Sequence, residues 1–227
     1  MRAAFHAELD ELIGDLARMG RLATQIMINA SAALLQADRA LADLVIARAD
    51  EMDRQHHDVE QRCTTLLALQ APVAMDRRTV VASLHALGDL QRMVKLAQHT
   101  AQMARRAHPH LAVPDEVRPM IARLSLLACG LAQHAATAIE TLDPLPGDRL
   151  AQADDVLDAL LRELLRTLFA ENWSHGVVPA IHVALVGRYY ERFADHAVAV
   201  ARQAGTLATE RMQSRSPVTP RKTASVV

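Results

Sequence analysis

A chain of 227 residues is long enough for one large domain or two of ordinary size, and either buries a real core. Hydrophobic residues make up 51% of it and aromatic ones only 3%, with alanine, leucine and valine supplying most of the apolar side chains, which is a helix-bundle composition. The formal net charge of −1 provides no overall field toward nucleic acid or an anionic membrane surface, so nucleic-acid binding is not expected.

The first segment, from about Ala3 to Gln36, is periodic and rich in alanine and leucine, and reads as one long helix that tolerates Gly14 and Gly20. Asp38 caps a second helix that runs to about Leu69 and is ended by Pro72. A third, from about Met75 to Ala107, carries Val80, Leu84, Leu87 and Val94 on one stripe and is closed by Pro109 and Pro114. The fourth, about Asp115 to Leu142, stops at Pro144, Pro146 and Gly147. The fifth begins near Asp148 and runs through the sequence up to Trp173. After Gly176 and Pro179 the sixth spans about Val178 to Thr206, and the polar, basic residues beyond it predict a disordered tail over 208–227. No segment alternates with the period of a strand, so the fold class is all-α.

The halves repeat each other. Asp38, Asp43, Asp50 and Asp53 align with Asp143, Asp148, Asp155 and Asp158 at one constant offset, and Arg92 and Ala97 align with Arg192 and Ala197 at an offset five residues shorter. The reading is two pseudo-repeated three-helix bundles of six long antiparallel helices, over 1–108 and 115–207. Cys63 and Cys129 form neither a disulfide framework nor a CxxC pair and read as small core hydrophobes in a reducing compartment. The N-terminus turns acidic early and no apolar run approaches the roughly 18 residues of a membrane span, which predicts a cytoplasmic protein that meets membranes only through partners.

The chemistry concentrates in the stretch GRYYERFADHAV, Gly187 to Val198. Arg188, Glu191, Arg192 and Asp195 share one face of the sixth helix, while Val183, Val186, Tyr190, Phe193, Ala197 and Val200 form the apolar face. Two readings stand side by side. Arg188 with Glu191 and Arg192 with Asp195 are opposite charges three apart, so the face can neutralise itself. Alternatively, Asp154, Asp155 and Asp158 on the fifth helix reach the level of Glu191 and Asp195 across the hairpin, to about one turn at 1.5 Å rise per residue. Such a set of carboxylates cannot all stay ionised without a cation, which predicts a metal ion or cluster: iron, manganese, magnesium or zinc. In the first half Asp50 and Asp53 are present, but Gln91 and Lys95 stand where Glu191 and Asp195 stand in the second, so Lys95 is expected to answer an aspartate there and a metal is less expected. His196 either reaches the second-half site or hydrogen-bonds at a helix interface. His56 and His57 read as a helix-surface pair, and Phe169 and Trp173 as packing at the hairpin end.

Four motifs in order, MRAAFHAELDEL with MGRLA, LLALQAPVAMDRR, DLQRMVKLA and GRYYERFADHA, resemble the PhoU family of phosphate-signalling regulators, its actinobacterial type most closely. The resemblance covers Met1 to about Gly205. It implies paired three-helix bundles, a cytoplasmic location and a homodimer. It further implies negative regulation of the phosphate-starvation two-component response and modulation of the high-affinity phosphate importer, by contact with a membrane sensor histidine kinase and the importer's ATP-binding subunit. Some members bind metals at E/D-x-x-x-D motifs, which map here onto Glu191 and Asp195. Arg188, Arg192, His196 and Arg92 fall in the partner-binding or structural parts of the motifs. The rival function is a carboxylate-bridged metalloenzyme of helical-bundle type, which requires Glu-x-x-His pairs; no glutamate here has a histidine three residues later, so a non-enzymatic adaptor is expected.

Overall fold

The computed structural model describes residues 2–69, 74–143 and 147–215, and among these the backbone forms six helices and no strand: α1 (Arg2–Gln36), α2 (Arg39–Leu69), α3 (Ala74–Ala107), α4 (Arg118–Thr141), α5 (Gly147–Leu168) and α6 (Val177–Arg215). The breaks assigned to Pro72, Pro144 and Pro146, and the tail from Ser216 onward, lie outside the described residues. The all-α expectation holds, as does the order of helices.

The turn chemistry repeats with the sequence. Ala37 and Leu142 are the two non-glycine residues with positive φ among the described residues, at 53° and 52°, and they occupy the same position in the two halves. At the first, the Asp38 amide donates to the Ala33 carbonyl at 3.0 Å, the closure of a helix on a left-handed residue, and the Asp38 carboxylate accepts from the Leu41 amide at 2.9 Å to cap α2.

Three boundaries differ from the periodicity. α4 starts at Arg118 instead of Asp115, because Val113 and Val117 are buried and draw the preceding residues into a turn closed on the Pro114 carbonyl. α5 stops at Leu168, short of Trp173, whose indole Nε1 donates to the Gly176 carbonyl at 2.8 Å and folds the chain back at φ +83°. α6 carries on to Arg215, so residues 208–215, placed in the tail, are helical. Leu207 and Ala208 are buried there, and Glu210 takes Arg78 of α3 at 3.4 Å.

Helices α1 to α3 pack together, and so do α4 to α6, yet the most extensive interface is α3 with α6, and α1 also lies along α4. The halves therefore meet through these four helices, with α2 and α5 as outer flanks. A single hydrophobic cluster runs through all six, from Phe5 to Leu207. Its centre includes Tyr190 and Phe193, both fully buried, and the Tyr190 hydroxyl donates across to Ser31 of α1 at 2.8 Å. Burial pushes the Tyr190 hydroxyl well above the ordinary phenol range. Cys63 and Cys129 are free and buried, each thiol pushed up to about 11 by desolvation, consistent with packing instead of reactivity.

Candidate functional site

The site forms where α5 meets α6, and its register is set by a glycine. A Cβ at Gly187 would lie 2.7 Å from Leu161 Cδ1 and 3.1 Å from Leu164 Cδ2, so the absence of a side chain lets α5 seat its leucines directly on α6. Leu157, Leu160, Leu161, Leu164 and Leu168 supply the buried stripe of α5 at helical spacing. Antiparallel packing from the contact of Leu161 and Leu164 with Gly187 carries Asp158 to the level of Glu191 and Asp154 to the level of Asp195.

The electrostatics agree with that register. The Asp154 carboxyl is raised above its ordinary range, first by burial and then by the charges of Asp195, Asp158 and Asp155, with Arg202 opposing. The Glu191 carboxyl is raised as well; burial leads, Arg188 pulls back, and Asp195 and Asp158 push further. Asp154 Oδ1 and Glu191 Oε2 are buried oxygens without a hydrogen-bond partner. The two helices thus bring Asp154, Asp158, Glu191 and Asp195 into one acidic cluster. Asp155 is exposed, and of the two raised carboxyls only Asp154 feels its charge. Among the described residues no three His, Cys, Asp or Glu side chains stand close enough together to enclose a metal ion as they are placed.

The charged face of α6 neutralises itself only in part. Arg188 pairs with Glu191, whereas Arg192 makes no ion pair with Asp195 or with another described residue. His196 turns away from the cluster, its Nδ1 standing 3.0 Å from Asp89 Oδ1 of α3, which settles it at the helix interface. In the first half Lys95 Nζ donates to Asp53 Oδ2 at 2.5 Å, and Asp50 accepts from Gln98 at 3.1 Å, so an ammonium occupies the equivalent space. His57 interacts along its own helix, with Gln61 at 3.0 Å and Glu60 at 3.9 Å, as expected of a surface position. The packing role expected of Phe169 fails: its side chain is 79% exposed, because α5 ends one residue earlier and the chain turns outward. Val177, Val178, Ile181 and Leu185 are exposed as well and form an apolar strip at helical spacing along the first turns of α6. This strip was not legible as exposed, since the same spacing on a covered helix would be core.

A family model described as the PhoU domain matches residues 16–104 and 121–204. The chain belongs to the PhoU family. A Mycobacterium tuberculosis protein named phosphate-specific transport system accessory protein PhoU homolog 2 is 42% identical over 203 residues, spanning 89% of this chain and 95% of its own length. PhoU homolog 1 of the same species is 39% identical over 215 residues, spanning 92% and 97%. The crystal structure of PhoU from Pseudomonas aeruginosa shares the fold, with a TM-score of 0.80 at 23% identity over 90% of this chain and 99% of that one. The two matched stretches coincide with the two helix triads, so the PhoU domain occurs here as a tandem pair.

Proposed function

We propose that this chain is a regulatory adaptor of phosphate uptake, binding the ATP-binding subunit of a phosphate importer and a membrane sensor histidine kinase and damping the phosphate-starvation response when phosphate is plentiful. The observation that carries this reading is similarity along nearly the whole chain, through both triads, to proteins named as accessory to phosphate-specific transport. The exposed apolar side chains of Val177, Val178, Ile181 and Leu185, at helical spacing on the first turns of α6 and a few residues before the charged stretch, support it, since such a face suits a protein partner. No described helix is long and apolar enough to cross a membrane. In this reading the adaptor works in the cytoplasm and meets the membrane through its partners. The protein works by binding, as a homodimer, and turns over no substrate.

The same proposal includes a metal ion at the second-half cluster. Its support is the donor chemistry: two buried carboxylate oxygens lack partners, and all-oxygen donors suit magnesium, manganese or iron, with zinc the softer alternative. Asp154, Asp158, Glu191 and Asp195 would hold it, Asp155 at the rim, and Asp50 and Asp53 would not, because Gln98 donates to Asp50 and Lys95 already answers Asp53. The ion would supply positive charge that locks α5 onto α6. Crosslinking and co-purification from phosphate-replete cells test the adaptor reading: recovery of the importer ATPase or the kinase is expected, and recovery of neither overturns it. Elemental analysis of protein purified without chelators tests the metal, with loss of metal expected in Glu191→Gln/Asp195→Asn; equal content in both proteins removes the site.

A further inference from the structure

The seam between α3 and α6 carries a second constellation that the acidic cluster does not use. The two helices run antiparallel, a register fixed by Arg78 with Glu210 at 3.4 Å, Asp89 with His196 at 3.0 Å, and the His99 ring against Tyr189 with centroids 5.6 Å apart. That register brings Arg92 level with Arg192, and the sequence repeat makes these same two residues equivalent. The pseudo-twofold relating the halves therefore passes beside them, and duplication alone sets two guanidinium groups facing one opening. Side chains of both halves line a cleft of about 360 Å³ there: Gln91, Arg92, Lys95 and His99 from α3, with Arg192 and His196 from α6.

The cations in this cleft are not all available. Lys95 is held by Asp53 and His196 by Asp89. Arg92 and Arg192 are exposed and take no hydrogen bond or ion pair with any other described residue. Like charges brought together by the fold repel unless an anion lies between them. A guanidinium offers two parallel N–H donors matched to two oxygens of a tetrahedral oxyanion, and a pair of them, with the Gln91 amide and the His99 ring beside them, exceeds what a carboxylate needs. We infer that this cleft binds the phosphate group of a free phosphate ion or small phosphomonoester, gripped between Arg92 and Arg192. Occupancy would bridge the first half to the second at their axis. The inference goes beyond the adaptor and metal readings and does not need either.

Calorimetric titration of the full chain at low ionic strength tests it, with inorganic phosphate in one arm and glycerol phosphate in the other. Saturable binding of one anion per chain is expected, weakened at least about tenfold by Arg92→Gln or Arg192→Gln and lost in the double variant, while Arg123→Gln, at an exposed position of α4, binds as the parent does. Phosphate bound and the ester refused identifies the free ion as ligand; both bound identifies the phosphate group of a larger molecule. Should circular dichroism show the double variant unfolded, Arg92→Lys serves instead: it keeps the charge, loses the fork, and is expected to bind about tenfold more weakly. Absence of saturation at millimolar concentration in both arms, or unchanged binding in folded variants, overturns the inference and leaves the adaptor reading standing.

Discussion

Helices α2 and α5 occupy equivalent flanks, but different forces hold them. α2 is tied to its neighbours by polar contacts: Arg62 reaches Asp15 at 2.5 Å and Glu11 at 3.1 Å on α1, while Lys95 and Gln98 of α3 hold Asp53 and Asp50. α5 makes no hydrogen bond or ion pair to another helix among the described residues. It is shorter, sits on α6 through leucines, and turns its acidic side toward more acid. The lesson is that one charge reversal between repeats, Lys95 against Asp195, converts a closed ion pair into an electrostatic deficit on the same scaffold. The flank with the deficit is the one whose seating a cation can control.

The contrast can be broken most strongly at Gly187, whose counterpart in the first half is Leu87. Importing that residue, Gly187→Leu, drives a side chain into Leu161 and Leu164 and is expected to cost about 1–3 kcal/mol in urea denaturation, with faster hydrogen exchange in α5 and no change in α2. An unchanged midpoint would show that the glycine does not set the α5 register. Tyr190→Phe tests the core shared by both halves; losing the bond to Ser31, which itself donates to the Met27 carbonyl, should cost about 1 kcal/mol in the same assay.

A smaller effect is expected from Lys95→Asp, which makes the first half imitate the second. The Lys95 and Asp53 side chains are 42% and 33% exposed, so solvent screening limits the loss to under about 1 kcal/mol near neutral pH. The smallest is a pH dependence. Asp154 and Glu191 have raised carboxyls in the folded state, so the native protein holds more protons than the unfolded chain, and their contribution to stability falls as pH rises out of the ordinary carboxylate range. In chelator, Asp154→Asn/Glu191→Gln should therefore melt above the parent at neutral pH, the two converging once both carboxyls are protonated. A parent more stable than the variant at neutral pH without metal would contradict the deficit.

Much of this architecture was legible in the chain. Long 3.6-residue periodicity, the Asp38 cap and aspartates in register gave six helices in two triads, because local spacing determines which side chains share a helix face. The charge swap at Lys95 could also be read directly, since a residue's charge needs no fold to be known. Tertiary structure alone decided what covers each face. Ile181 and Leu185 have the spacing of core residues and lie exposed because they stand on the side of α6 away from Gly187 and the α5 leucines; Arg92 and Arg192, a hundred positions apart, share one cleft because α3 and α6 pair antiparallel across the repeat axis. Both outcomes depend on how helices pack at long range, and periodicity along one helix carries no information about its neighbours.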